Sequence, residues 1–261
     1  MSVISTLAPR TGLRVFISAG GGGIGLIIAR AFHEAGARVL VCDVDDAVLG
    51  HLEDTDPEII GVRADVSRAD DVDALGAVID DRLGGLDVVI NNAGIAGPTG
   101  GIDSVPQDEW LRTIDINVNG QYHVSRVTVP MLKVSRGAMI CMSSVAGRLG
   151  YAFRTPYSVS KWGLIGLVES LARELGPDGV RVNAILPGII RGKRIERVIS
   201  ARADALGVPY EEMEQRYLQL ISLRRMTEPE DVAAMALFLA SPGARNVSGQ
   251  SISVCGNVEN L

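Results

Sequence analysis

Tyr157 and Lys161 lie four residues apart, with Ser144 upstream of them. In a helix, residues at that spacing project from one face, so a phenol and an ammonium group would stand side by side at the helix edge. A cation held close to a phenol favours its ionised form. The pair therefore has the makings of a proton-transfer device. Taken alone, it reads equally well as a surface helix carrying two polar residues, and the surrounding sequence has to decide.

A second group of residues suits phosphate chemistry. Ser18-Ala19-Gly20-Gly21-Gly22-Gly23-Ile24-Gly25 follows an apolar run and leads into helix-period sequence over residues 26–34. Backbone N–H groups without side chains approach a pyrophosphate closely, and a helix N-terminus adds favourable partial charge. A tight strand-to-helix crossover needs glycine for its own sake, but the position after a first strand is the context that nucleotide binding requires. Asp43 closes the next apolar run, roughly 20 residues on, where a carboxylate can accept hydrogen bonds from an adenosine ribose. It also reads as a turn aspartate. If it faces the ribose, a 2′-phosphate meets repulsion, and neither Gly22 nor Val44 supplies a cation to offset it, so NAD is favoured over NADP. Asp65-Val66 could border the adenine, and Asn91-Asn92-Ala93-Gly94 could narrow the floor of the cleft. Both also suit turns.

The elements that must position these residues alternate along the chain. Short β-branched runs at 14–18, 38–43, 59–64, 88–91, 138–142, 180–186 and 251–254 are mostly continuous in apolar residues, as buried parallel strands are. Helix-period segments separate them, predicting an α/β fold: a single-domain, Rossmann-type, doubly wound sheet of seven parallel strands flanked by helices. Ser67 precedes an acidic first turn in a helix over 68–83, and Thr227 with Glu230 forms a capping-box pattern before 232–240. No linker, repeat or composition shift divides residues 1–261, which read as one domain. The alternation breaks at 191–221, where extra helices at 193–206 and 210–221 follow the sixth strand as a substrate lid would.

Composition excludes other classes. With 47% apolar and 21% charged residues the chain reads as globular, and a net charge of −6 argues against nucleic acid or an anionic membrane as partner. The N-terminal segment has no apolar core and no run is long enough to span a bilayer, so a cytoplasmic protein is expected. Cys42, Cys141 and Cys255 each sit in a strand-like run and read as reduced core thiols. His33, His51 and His123 lack partners at ligand spacing, so no metal is expected.

Over essentially its full length the chain resembles the short-chain dehydrogenase/reductase family. The resemblance rests on Gly23-Ile24-Gly25, Asn91-Asn92-Ala93-Gly94, Asn117 within Ile116-Asn117-Val118-Asn119-Gly120, Ser143-Ser144, Tyr157-Ser158-Val159-Ser160-Lys161, and Asn183 with Pro187-Gly188, in that order. It implies a catalytic tetrad of Asn117, Ser144, Tyr157 and Lys161, with Ser144 rather than Ser143 matching by its distance from Tyr157. Tyr157 would exchange a proton with the substrate oxygen while a nicotinamide exchanges a hydride with the carbon. Lys161 would assist Tyr157 and hold the nicotinamide ribose, Ser144 would fix the substrate oxygen, and Asn117 would hold a water linking Lys161 to solvent. The cofactor contacts implied are Ser18, Gly20, Gly22, Gly23, Ile24, Gly25, Asp43, Val44, Asp65, Val66, Asn92, Ala93, Gly94, Tyr157, Lys161, Pro187, Gly188 and Ile190. Ala19, Gly192 and Gly256-Asn257 depart from the family's usual residues.

The expected activity is NAD-dependent oxidation of a secondary alcohol, or reduction of its ketone, on a small polar molecule such as a sugar, polyol or hydroxy acid. An NADPH-dependent carbonyl reductase of 3-oxoacyl type and a non-catalytic nucleotide-binding regulator are the alternatives. Arg191, Lys193, Arg194 and Arg197 cluster in the lid region, and Arg148 and Arg154 lie between Ser144 and Tyr157. Arg154, Arg191 and Arg194, with Ser144 and Tyr157, are therefore candidate substrate contacts for an anion, against the alternative of a solvated helix face. The family resemblance also implies a homotetramer or homodimer built on 108–134 and 157–175.

Overall fold

Continuous apolar runs become seven parallel strands: β1 (Arg14–Ser18), β2 (Arg38–Asp43), β3 (Ile60–Arg63), β4 (Val88–Asn91), β5 (Ala138–Met142), β6 (Arg181–Pro187) and β7 (Ser251–Val254). They form one sheet in the order β3-β2-β1-β4-β5-β6-β7. The structure, a computed structural model, describes residues 2–258, apart from the side chains of Arg194, Ala201, Arg202 and Ala205. Five strands keep the bounds read from sequence. The other two shift because local turns capture their ends. The Ile59 amide donates to Asp56 O (2.9 Å), and that of Val180 to Leu175 O (3.3 Å), closing the preceding helix.

Strand side chains alternate between faces, so each run serves two cores. Phe16, Leu40, Val89, Met139 and Val182 face α3 (Ala69–Leu83), α5 (Gly120–Ser135) and α6 (Thr155–Leu175). Val15, Ile17, Val41, Ile90, Ile140 and Ile185 face α1 (Gly23–Glu34) and α9 (Pro229–Ala240). The remaining helices are α2 (Asp46–Thr55), α4 (Gln107–Ile114), α7 (Lys193–Leu206) and α8 (Tyr210–Gln219).

Two capping expectations are corrected. Ser67 does not cap α3: its amide and hydroxyl both donate to Asp65 Oδ1 (2.9 and 2.7 Å), while Asp71 Oδ2 accepts from the Asp65 amide (3.1 Å). The box opening α9 lies one residue from its predicted place. Pro229 occupies the first helical position, which its fixed φ favours, and the Glu228 amide donates to Asp231 Oδ2 (2.9 Å).

α7 and α8 follow β6 as expected and pack on each other through Ile199, Ala203 and Met213. α8 ends at Gln219 rather than 221, because Ile221 leaves the helix to pair antiparallel with Val258. Cys42, Cys141 and Cys255 are free and buried, although Cys255 lies just past β7 rather than in it. Burial pushes the thiols of Cys42 and Cys141 up to about 12, which makes both poor nucleophiles. Among the described residues, no helix is long and apolar enough to cross a membrane, and no group of three His, Cys, Asp or Glu side chains gathers as a metal site.

Candidate active site

β1 and β4 are neighbours, and successive strands are added outward from them in opposite directions. A crevice opens outside their carboxyl ends, at the topological switch point where such sheets bind ligands. Ser18 ends β1 buried there, its Oγ accepting from the Asn92 and Ala93 amides (3.0 Å each). Asn92 Nδ2 donates to the carbonyls of Ser18 (3.1 Å) and Ala19 (3.0 Å), so this side chain braces the first turn. Ala19 takes φ +49°, a left-handed conformation that costs a non-glycine residue about 1–2 kcal/mol.

The glycine turn fits a dinucleotide phosphate. A Cβ at Gly25 would lie 2.3 Å from Ala19 O and 2.7 Å from Asn92 Nδ2, so only glycine lets α1 start this close to β1. Gly22 caps α1, and Gly23 opens it at φ +54° with nothing within 4 Å of its Cβ position. Gly20 lies under Val41, while Ile24 packs on the core behind the turn. The bare backbone at the helix N-terminus is therefore an anion cradle. Gly25→Ala is expected to destabilise the fold by about 1–3 kcal/mol, read from chemical denaturation. An unchanged midpoint would mean that the Ala19 carbonyl can move aside.

Beyond the turn, a cavity of about 570 Å³ is lined by Ala19, Asp43, Val44, Asp65, Val66, Ala93 and Gly94, all in or beside the predicted cofactor segments. Asp108, Leu111, Arg112, Asp115 and Ile116 also line it, so a cation and two further carboxylates share the cavity with Asp43. Ile116 lies in the motif around Asn117, whereas nothing in the spacing of the others marked them, since α4 and the turn after it bring them to the cavity. Asp43 Oδ1 accepts from the amides of Val44 (2.8 Å) and Asp45 (3.3 Å). Its Oδ2 faces the glycine turn, 3.3 Å from the Cβ position of Gly21. Asp43 thus serves its own turn and presents a carboxylate oxygen to the cradle.

The proton-transfer candidates gather at the carboxyl ends of β4 and β5. Asn117 lies fully buried in a π-helical turn, Asp115–Asn119, between α4 and α5. Its Oδ1 accepts from the Ile95 amide (2.7 Å), and Nδ2 donates to Ile95 O (3.0 Å) and Ser160 Oγ (2.9 Å). The side chain expected to hold a water is therefore engaged in fixing the chain after β4. Lys161, 4% exposed, donates from Nζ to Met142 O (2.8 Å), and its Nζ lies 5.6 Å from the Tyr157 ring centroid. A Cβ on Gly94 would come within 3.2 Å of Asn117 Oδ1 and 3.3 Å of Lys161 Nζ, so glycine admits both groups.

The two serines separate by geometry. Ser143 Oγ donates to Lys161 O (2.8 Å) and fastens β5 to α6. Ser144 Oγ accepts from the Ala146 amide (3.2 Å), in a loop that Ser158 Oγ ties to α6 through Ala146 O (3.0 Å). Ser144 and Tyr157 thus belong to segments packed on each other. Pro187 ends β6, the Gly188 amide donates to Val254 O (3.0 Å), and Ile190 pairs with Thr227.

Residues 19–257 match the family model described as Enoyl-(Acyl carrier protein) reductase. The chain belongs to the short-chain dehydrogenase/reductase family. It is accordingly an oxidoreductase that binds a nicotinamide cofactor and acts on secondary alcohols or ketones. L-fucose dehydrogenase of Bos taurus is 34% identical, over 94% of this chain and 88% of its own. A structure of 7alpha-hydroxysteroid dehydrogenase complexed with NADH and 7-oxo glycochenodeoxycholic acid is 32% identical, with a TM-score of 0.88, covering 100% and 99% of the two chains. A variant of actinorhodin polyketide ketoreductase with NADPH is 31% identical, with a TM-score of 0.87 and coverage of 95% and 98%.

Within this short-chain dehydrogenase/reductase, the described side chains of the basic cluster do not converge on one anion site. Arg191 Nε pairs with Glu228 Oε1 (2.8 Å) and its Nη1 lies 3.9 Å from Glu214 Oε1, so its charge is met by two carboxylates. Arg197 Nε donates to Lys193 O (3.1 Å), and both residues line a separate cavity of about 630 Å³ with Glu196, Ser200 and Tyr210. The Arg194 side chain lies outside the described residues. Arg154 does stand at Tyr157, its Cζ 5.6 Å from the ring centroid, but its two terminal nitrogens donate to Ala96 O and Thr99 Oγ1.

The departure at Gly256-Asn257 has a structural reason. Both residues take left-handed φ (+60° and +61°), and Asn257 Nδ2 donates to Ser222 Oγ (2.7 Å), securing the end of the lid against the segment after β7. Asparagine tolerates that backbone region better than most residues. Gly192 takes φ +145° at the start of α7, a backbone conformation that glycine alone adopts readily.

Proposed function

We propose that the protein transfers a hydride between NAD(H) and a secondary alcohol or its ketone, on a small polar substrate such as a sugar, polyol or hydroxy acid. The observation that supports this reading is Lys161 Nζ, 5.6 Å from the Tyr157 ring centroid and packed on Gly94, which lines the cavity beyond the glycine turn. In the oxidising direction, Tyr157 takes the substrate hydroxyl proton, and Ser144 holds the substrate oxygen at that phenol. Lys161 keeps positive charge beside the ring and would hold the nicotinamide ribose. Asn117 fixes residue 95 and Ser160 and would hold a water that links Lys161 to solvent. When bound, the nicotinamide supplies the hydride chemistry at the carbinol carbon. The glycine turn, Asp43, Asp65, Val66 and residues 92–94 would hold its adenosine and phosphates, with Pro187, Gly188 and Ile190 at the other end.

NAD is preferred in this reading because Asp43 faces the cradle. The second reading, an NADPH-dependent carbonyl reductase, draws on the likeness to a polyketide ketoreductase with NADPH. Residues 191–221 act as the substrate lid, and the enzyme works in the cytoplasm as a homotetramer or homodimer. Tyr122 on α5 and Val159 and Trp162 on α6 supply exposed apolar surface for that assembly. A screen of sugars, polyols, hydroxy acids and cyclic alcohols with NAD and NADP, followed by reduced-nicotinamide absorbance, tests the reading. Turnover of none of them, in either direction, would favour a nucleotide-binding regulator.

The two serines offer a sharper check. Ser144→Ala is expected to lower kcat roughly 100-fold, as loss of a donor to the reacting oxygen does. Ser143→Ala should cost about 1 kcal/mol of stability for its lost hydrogen bond and change kcat far less. Equal losses of kcat would contradict the assignment.

A further inference from the structure

Arg154 immediately precedes α6 and lies three residues before Tyr157. Its Cζ lies 5.6 Å from the ring centroids of both Tyr151 and Tyr157, so two aromatic rings flank the guanidinium. Nη2 donates to Ala96 O (2.8 Å) and Nη1 to Thr99 Oγ1 (3.2 Å). A third tie lies beside these: the Gly100 amide donates to Phe153 O (2.9 Å). Phe153 makes that bond from a left-handed backbone, φ +61°, a conformation costly for a bulky side chain. Arg154 Nε is buried without a hydrogen-bond partner, a cost that few buried polar groups in native structures carry.

These ties bear on the reaction through the chain they hold. Residues 93–95 line the nucleotide cavity, and Asn117 grips residue 95 by both its amide and its carbonyl. Arg154 grips the same segment from its far end. It also stands 5.6 Å from the Tyr157 ring, as Lys161 Nζ does. We propose that Arg154 is a positioning residue that locks the cofactor-side segment 94–100 to the Tyr157 ring, so that proton donor and nucleotide cavity move as one unit. This role rests on the oxidoreductase reading above, and it replaces the anion contact expected from sequence.

The test compares Arg154→Met, Arg154→Lys and Thr99→Val with the parent enzyme, using the best alcohol from the screen. Arg154→Met should lower kcat roughly 10- to 100-fold, the scale of a small misplacement of reacting groups, with substrate KM and NAD binding nearly unchanged. Its melting temperature should stay near the parent's, while the amides of residues 94–100 exchange hydrogen faster. Arg154→Lys keeps the charge but lacks the planar fork, so it should recover only part of kcat. Thr99→Val removes one arm without touching α6 and should give a smaller drop in the same direction, which keeps the proposal testable if the Arg154 variants fold poorly. A raised KM with unchanged kcat would make Arg154 a substrate ligand and overturn the proposal. Full recovery by lysine would also overturn it, reducing the role to charge. A parent without turnover would sink the oxidoreductase reading, and unchanged exchange at 94–100 in Arg154→Met would then separately sink the lock.

Discussion

Tyr157→Phe is expected to lower kcat roughly 10²- to 10⁴-fold, the range that positioned proton transfer contributes, while leaving NAD binding and the fold intact. The substitution removes one oxygen and nothing else that the site uses. The ring keeps its contacts with the Arg154 guanidinium and Lys161 Nζ, each 5.6 Å from its centroid, because both contacts are to the ring. Ser160 Oγ still reaches the residue 157 carbonyl. The lost turnover therefore has one source. Without a group to take the hydroxyl proton, the carbinol carbon cannot give up its hydride without leaving positive charge on the carbonyl group that forms. Steady-state rates together with a fluorescence titration of the reduced cofactor separate the two effects. Turnover within tenfold of the parent would remove Tyr157 from proton transfer; loss of cofactor binding in parallel would give it a role in holding the nucleotide.

The strands were legible because a parallel strand buried on both faces writes a continuous apolar run, with little room for another reading. The glycine turn was legible for a related reason: the backbone contact that forbids a side chain at Gly25 acts within one strand-to-helix unit. What spacing did not reveal were contacts between distant segments. Arg191 and Glu228 are 37 residues apart, and Arg154 and Ala96 are 58 apart. Local pattern thus saw both arginines as free charge near the cleft, although the fold gives each a partner. Ser67 and Thr227 were misread at shorter range. Each has the composition of a cap, but Asp65 captures Ser67, and Pro229 fixes where α9 begins. Helix periodicity records which residues share a face and says nothing of which neighbouring turn competes for them.

Correcting the arginines narrows the substrate question. With Arg191 met by two carboxylates and Arg154 tied to the chain after β4, the lid's other cations are Arg194, whose side chain lies outside the described residues, and Lys193 and Arg197, which border a cavity shared with Glu196 and Tyr210. A mixed rim of cations, a carboxylate, a hydroxyl and a phenol suits a polyhydroxylated neutral molecule as readily as an acid. Sugars and polyols therefore belong in the screen beside hydroxy acids.

On the NAD-dependent reading proposed above, Asp43→Asn is expected to shift cofactor use from NAD toward NADP. Asp43 Oδ1 accepts from the Val44 and Asp45 amides, and an asparagine oxygen can keep those bonds, so the turn survives while the charge is lost. The nearest cation on the neighbouring strand gives no relief in the parent: Arg63 pairs in register with Asp43, but its Nε lies 3.1 Å from Asp46 Oδ1. A 2′-phosphate, carrying nearly two negative charges, would therefore enter a region held negative by Asp43. Losing a charge-assisted hydrogen bond to the ribose costs about 1.5–3 kcal/mol, or roughly 10- to 100-fold in kcat/KM for NAD at about 1.4 kcal/mol per decade. Relief of the repulsion raises kcat/KM for NADP at the same time, so the ratio between cofactors should fall by more than either value alone. Steady-state rates with both cofactors at a fixed alcohol concentration measure it. A ratio that does not move would return Asp43 to a purely structural turn. A parent that already prefers NADP would carry the enzyme to the carbonyl-reductase reading, with Asp43 turned from the ribose when the nucleotide binds.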